Sequence, residues 1–142
     1  MKDFAHIEYI GLFLTKESKD RLKNWLMNIA PIEALGDADW QNPTEYLDHC
    51  TLIHRSQMDK AFDLDTFMET VNTLWKEDSK IRITHIGHNG KALAFKVDSP
   101  LVRKMCKNEN PHITICTYNR GKPKDSNTIT NWVELIPITI EV

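Results

Sequence analysis

The chain twice carries a histidine, one intervening residue, a threonine and an aliphatic: His49-Cys50-Thr51-Leu52 and His112-Ile113-Thr114-Ile115. A β-strand alternates its faces with period two. On a strand, each His/Thr pair therefore shares one face and the apolar neighbours take the other. The apolar face is core, so the His/Thr face looks at something else. An imidazole, with an ordinary pKa near ~6.5, works as base or acid at neutral pH. Two of them on opposite sides of a phosphate form an in-line pair. One deprotonates the nucleophile and the other protonates the leaving oxygen. Threonine hydroxyls beside them donate to the non-bridging oxygens and stabilise developing charge. The expected catalytic residues are His49 and His112, with Thr51 and Thr114 holding phosphate. Which histidine is base and which is acid stays open at this level.

Other chemistries fit less well. His49 and His54 are five apart, so on a strand they face opposite ways, and His85 and His88, three apart, have the same problem. There is no H-E-x-x-H, and no metal or other cofactor is expected. His6, His54, His85 and His88 are taken as incidental. The three cysteines, Cys50, Cys106 and Cys116, are an odd number without a C-x-x-C pair, which favours free thiols. Cys116 as a nucleophile would need a lowered thiol pKa, for which the sequence gives no sign.

Positioning the two motifs requires strands, and the sequence supplies them in the order β-α-β-α, then β-β-α-β-β. Ala5 to Thr15 alternates as a first strand. Leu22, Trp25, Leu26 and Ile29 then recur at helical spacing, with Thr15 or Ser18 as cap. A long polar connection, Ala30 to Asp48, follows, of a length typical of lids and binding loops. Leu64, Phe67, Val71 and Leu74 mark a second helix, opened by Asp63 or Asp65. Asn89-Gly90 signals a type I′ hairpin between two alternating stretches. Ser99-Pro100 opens a short third helix. Pro137 marks the last strand as an edge or bulge.

At 142 residues, 41% hydrophobic and 27% charged, the chain suits one compact soluble domain. The formal net charge of −2 advertises no basic field for duplex DNA, so an anionic ligand must be held by a local site. No apolar run approaches the ~18 residues of a membrane span, and the N-terminal stretch lacks a secretory h-region. A cytoplasmic location is expected.

Two such motifs, 63 positions apart, resemble the signature of the 2H phosphoesterases, the LigT-like cyclic phosphodiesterases. The resemblance spans nearly the whole chain. It implies an α+β fold with two antiparallel sheets facing across a central cleft and helices outside. The whole of 1–142 would then be one domain of two pseudo-symmetric lobes, divided near residues 76–80. The family often has an apolar residue before each histidine, whereas Asp48 and Pro111 stand there in this chain. The resemblance implies a metal-independent phosphodiesterase acting on a nucleotide or oligonucleotide. Two substrate classes stand side by side. One is the 2′,3′-cyclic phosphate at an RNA end, as in the cyclic phosphodiesterase module of tRNA ligases. The other is a cyclic oligonucleotide signal, as in compact phage anti-CBASS nucleases. The alternative of a different class is a binding module that sequesters such a ligand without turnover. For base stacking, Tyr118 is expected to continue the His112/Thr114 face, and Trp40 and Tyr46 stand in the long loop.

Overall fold

The computed structural model describes residues 7–28, 44–118 and 120–142. In chain order the elements are β1 (Tyr9–Phe13), α1 (Lys16–Asn28), β2 (Thr44–Glu45), β3 (His49–His54) and α2 (Leu64–Glu77). They continue with β4 (Lys80–His88), β5 (Ala92–Asp98), α3 (Pro100–Met105), β6 (His112–Thr117) and β7 (Trp132–Glu141). Short 3-10 turns occupy Arg55–Gln57 and Pro123–Thr128.

The α+β class holds, but the expected pair of facing sheets does not. Among the described residues the strands form one antiparallel sheet, ordered β1-β3-β6-β5-β4-β7, with β2 pairing β6. The two halves are joined where β6 pairs with β2 and, at Cys50↔Ile113, with β3. The Cys50↔Ile113 pairing sits at the centre of both motifs.

Local chemistry sets the helix starts. Thr15 caps α1, accepting from the Ser18 N–H, while the Ser18 hydroxyl turns to the Glu141 carbonyl at the end of β7. Asp63 caps α2 and Ser99 caps α3, where Pro100 occupies the first position. The hairpin between β4 and β5 falls where Asn89-Gly90 predicts it, but the turn is not type I′. Gly90 alone of its residues has positive φ, at 85°. The Asn89 side-chain oxygen instead accepts from the Lys91 and Ala92 N–H groups, stabilising a three-residue turn.

The helices bury their apolar sides against one face of the sheet. Leu22 of α1, Phe67 and Val71 of α2, and Leu101 and Val102 of α3 share a single cluster with Cys50, Leu52, Ile83, Phe95 and Ile113. Trp25 packs its ring 5.9 Å from that of Phe95. The opposite face is left to the residues between these core positions.

Candidate active site

Cys50 and Ile113 are paired and fully buried. Their strand neighbours therefore project to the other face, and His49, Thr51, His112 and Thr114 are all half-buried there. The structure brings both motifs together on one face of the β3–β6 junction.

The approach to His49 is bent. Between the pairs Glu45↔Cys116 and Cys50↔Ile113 the β2–β3 segment runs five residues against three on β6. Leu47 takes up the excess in a left-handed conformation, φ 44°, fixed by its own burial and by its N–H donating to the Thr114 carbonyl. The chain then enters β3 with Asp48 beside the histidine. Asp48 accepts from Lys19 of α1 at 2.8 Å and from His49 Nδ1 at 3.2 Å. The Lys19 hydrogen bond, and after it that of His49, hold the Asp48 carboxyl below its ordinary range. A carboxylate at Nδ1 fixes the tautomer and leaves Nε2 as the working nitrogen.

His49 also lies in an aromatic clamp. Tyr9 stacks on it at 4.5 Å and 15°, and Phe13 tilts over it at 5.2 Å. Gly11, between the two on β1, makes this possible. A Cβ there would stand 2.9 Å from the Cys50 carbonyl oxygen and 3.4 Å from the His49 ring.

His112 is held differently. Its Nδ1–H donates to the Asn110 carbonyl at 2.8 Å, again leaving Nε2 free. Burial pushes its pKa below the ordinary 6.5, the Asn110 carbonyl opposes that, and the charge of His49 lowers it further. The two histidines flank the Cys50↔Ile113 pairing on adjacent strands. The Thr114 hydroxyl shares a 2.9 Å hydrogen bond with Ser126, which is buried in the turn Pro123–Thr128. The Thr51 hydroxyl has no protein partner among the described residues.

The three expected stacking aromatics fare differently. Tyr118 does not lie open on the His/Thr face. Ile115 is an extra residue on β6 between the pairs Ala94↔Thr114 and Leu93↔Cys116, which breaks the period-two alternation. Tyr118 is buried, and its hydroxyl accepts from the Gly90 N–H. Tyr46 is exposed, beside the Leu47 bend. Trp40 lies outside the described residues. Tyr9, Gly11, Phe13 and Ser126 escaped the sequence; the only signal for the first three was a strand-like run in β1, and Ser126 stood in a polar stretch before the last strand. Among the described residues no group of three or more His, Cys, Asp or Glu side chains is placed to hold a metal, and no helix is long and apolar enough to cross a membrane.

A protein-family model described as the fungal tRNA ligase phosphodiesterase domain matches residues 6–136. The chain belongs to that family. The matched span takes in both motifs of this phosphodiesterase-domain member, together with the clamp on β1 and the turn that carries Ser126. No curated protein and no solved structure matches it.

Proposed function

We propose that the protein is a metal-independent cyclic phosphodiesterase that opens 2′,3′-cyclic phosphates at RNA ends, and that the whole chain serves as one domain for this purpose. The observation that carries this is the convergence of two His/Thr motifs on one sheet face, across the pairing of Cys50 with Ile113. Membership of a tRNA ligase phosphodiesterase family supports an RNA end as the ligand. It lends nothing to the reading as a nuclease of cyclic oligonucleotide signals.

The environments divide the roles. His112, kept neutral by burial, is the base: its Nε2 takes the proton of the attacking water. His49, oriented through Nδ1 by Asp48, is the acid: it gives a proton from Nε2 to the ring oxygen that leaves phosphorus. Thr51 and Thr114 donate to the non-bridging oxygens, and Ser126 sets the Thr114 rotamer. The product is a phosphomonoester on the terminal ribose. After turnover His112 holds the proton and His49 lacks it, so exchange with solvent resets the pair.

A turnover panel in excess EDTA tests the reading. It offers RNA with a 2′,3′-cyclic phosphate end, 2′,3′-cyclic mononucleotides, cyclic di- and trinucleotides and linear RNA, with His49→Ala as control. Opening of the RNA 2′,3′-cyclic phosphate, lost in the variant, is expected. Cleavage confined to cyclic oligonucleotides, sensitivity to EDTA, or tight binding without turnover would each overturn it.

A further inference from the structure

The strand register extends the site beyond the two motifs. His112 is paired with Lys96 of β5, and Lys96 with His85 of β4. Paired residues on neighbouring strands project to the same face. By simple alternation from buried Ile83, His85 would fall on the core face, but β4 carries a bulge between Ile83 and His85. Thr84 takes up the extra residue, and His85 returns to the side of Lys96. The three groups, followed by exposed Glu134 of β7, which is paired with His85, therefore form one row running away from the candidate active site. Neighbouring strands lie ~4.8 Å apart. Lys96 thus stands one strand from His112 on the same face, and its ammonium extends along the row toward Trp132 of β7.

Lys96 is not neutralised by the protein. It makes no ion pair among the described residues, and its ammonium lies 5.9 Å from the centre of the Trp132 ring. Trp132 reaches toward it by lying flat across Gly87, where a Cβ would stand 2.7 Å from the indole. The indole N–H of Trp132 is buried without an acceptor among the described residues, a second donor on this side of the sheet. Next to this row opens a cavity of about 410 Å³, lined by His85, Lys96, Arg103, Cys106, Glu109 and Pro111 among others. Of the carboxylates there, Asp98 is held by Arg103 at 2.7 Å and Glu109 is exposed. Lys96, paired with His112, is the cation of this row, and it has no ion pair among the described residues.

We propose that Lys96, with His85 beside it, is a second phosphate subsite, which takes the internucleotide phosphate next to the reacting end. The ligand is then an RNA strand of two or more nucleotides rather than a mononucleotide. This rests on the phosphodiesterase reading for the placement of the reacting phosphate, but its test does not require turnover.

The test compares equilibrium binding of adenylyl-adenosine 3′-phosphate with that of adenosine 3′-monophosphate. Neither is consumed by the proposed reaction. The full chain is used, as wild type and as Lys96→Gln, Lys96→Arg and His85→Gln, each checked by thermal melting. The wild type is expected to favour the dinucleotide by about 10-fold, the size of one charge-assisted contact. Lys96→Gln should remove most of that preference, and Lys96→Arg should keep part of it. The salt slope for the dinucleotide should fall by about 0.7 in Lys96→Gln, one phosphate contact on a single strand. His85→Gln should reduce the preference in part. Equal binding of both ligands by the wild type would overturn the subsite, as would a preference and salt slope unchanged in Lys96→Gln. Equal losses for both ligands would place Lys96 on the terminal phosphate instead. Failure of the 2′,3′-cyclic forms to turn over would count against the phosphodiesterase reading alone.

Discussion

His49 and His112 differ in what holds their Nδ1 atoms, a carboxylate for one and a backbone carbonyl for the other. That difference makes separate predictions. His49→Ala or His112→Ala should each lower kcat by at least ~10²-fold, the low end for a positioned acid or base. Thr51→Val or Thr114→Val should cost less in single-turnover rates. Equal losses would contradict the division between proton transfer and phosphate binding. Asp48→Asn should lower kcat by at least ~10-fold through the freed His49 ring, with ligand affinity largely kept. The pH dependence follows from His112. Its folded pKa is depressed, so it stays neutral below the ordinary 6.5, and the acid limb of kcat/KM should lie below that value. For stability, the unfolded chain takes up this proton first. The contribution is present above 6.5 and is lost as pH falls toward the lower folded value. Asp48, also depressed, adds a second loss as pH falls from 3.8 through its own lower folded value. Urea midpoints from neutral pH to below pH 4 should show both steps, and His112→Gln should remove the upper one. The His/Thr pairs were legible because residue type and period two are local properties. The Asp48 carboxylate was visible in the sequence but its role was not, because its partner Lys19 stands on another element, 29 residues away.

Strand register decides what surrounds the motifs, and register is where sequence reading ends. The strand sequence of β1 does not say that it pairs with β3, so neither the Tyr9–Phe13 clamp nor the need for Gly11 could be read from it. Alternation also assumes a regular strand. The bulge at Ile115 turns Tyr118 into the interior, and the one at Thr84 brings His85 to the site face. The excess residues at Leu47, by contrast, sharpen the turn into His49. Gly11→Val tests the clamp. The added side chain meets the Cys50 backbone, which should cost about 1–3 kcal/mol of stability by overpacking. Displacement of the His49 ring should lower kcat by about 10²-fold, as misplacement of a reacting group by ~1 Å can. Chemical denaturation and single-turnover rates on the same variant read the two effects separately. A stable variant with unimpaired turnover would show that the clamp does not set the His49 position.

Across the whole molecule, one sheet serves two purposes. The helices cover one face, and the row from His112 through Lys96 to His85 occupies the other. The helix order and caps were legible because helical periodicity and capping residues are local. A pair of facing sheets was the wrong architecture, because the Cys50↔Ile113 pairing that merges the halves is a long-range contact between two strands with similar sequences. That shared core makes the site depend on packing behind it. Phe95, fully buried and facing Trp25, sits on the core side one residue from Lys96. Phe95→Ala should destabilise the fold by about 3–5 kcal/mol, and a urea titration measures it. The most direct measurement of the central claim is turnover of an RNA ending in a 2′,3′-cyclic phosphate, in excess EDTA. Wild type, His49→Ala and His112→Ala are run beside equilibrium binding of the phosphomonoester product. The wild type should open the RNA end to a phosphomonoester, each variant should lose at least ~10²-fold, and product binding should largely survive. Unchanged turnover in either variant, or none in the wild type despite tight binding, would contradict it.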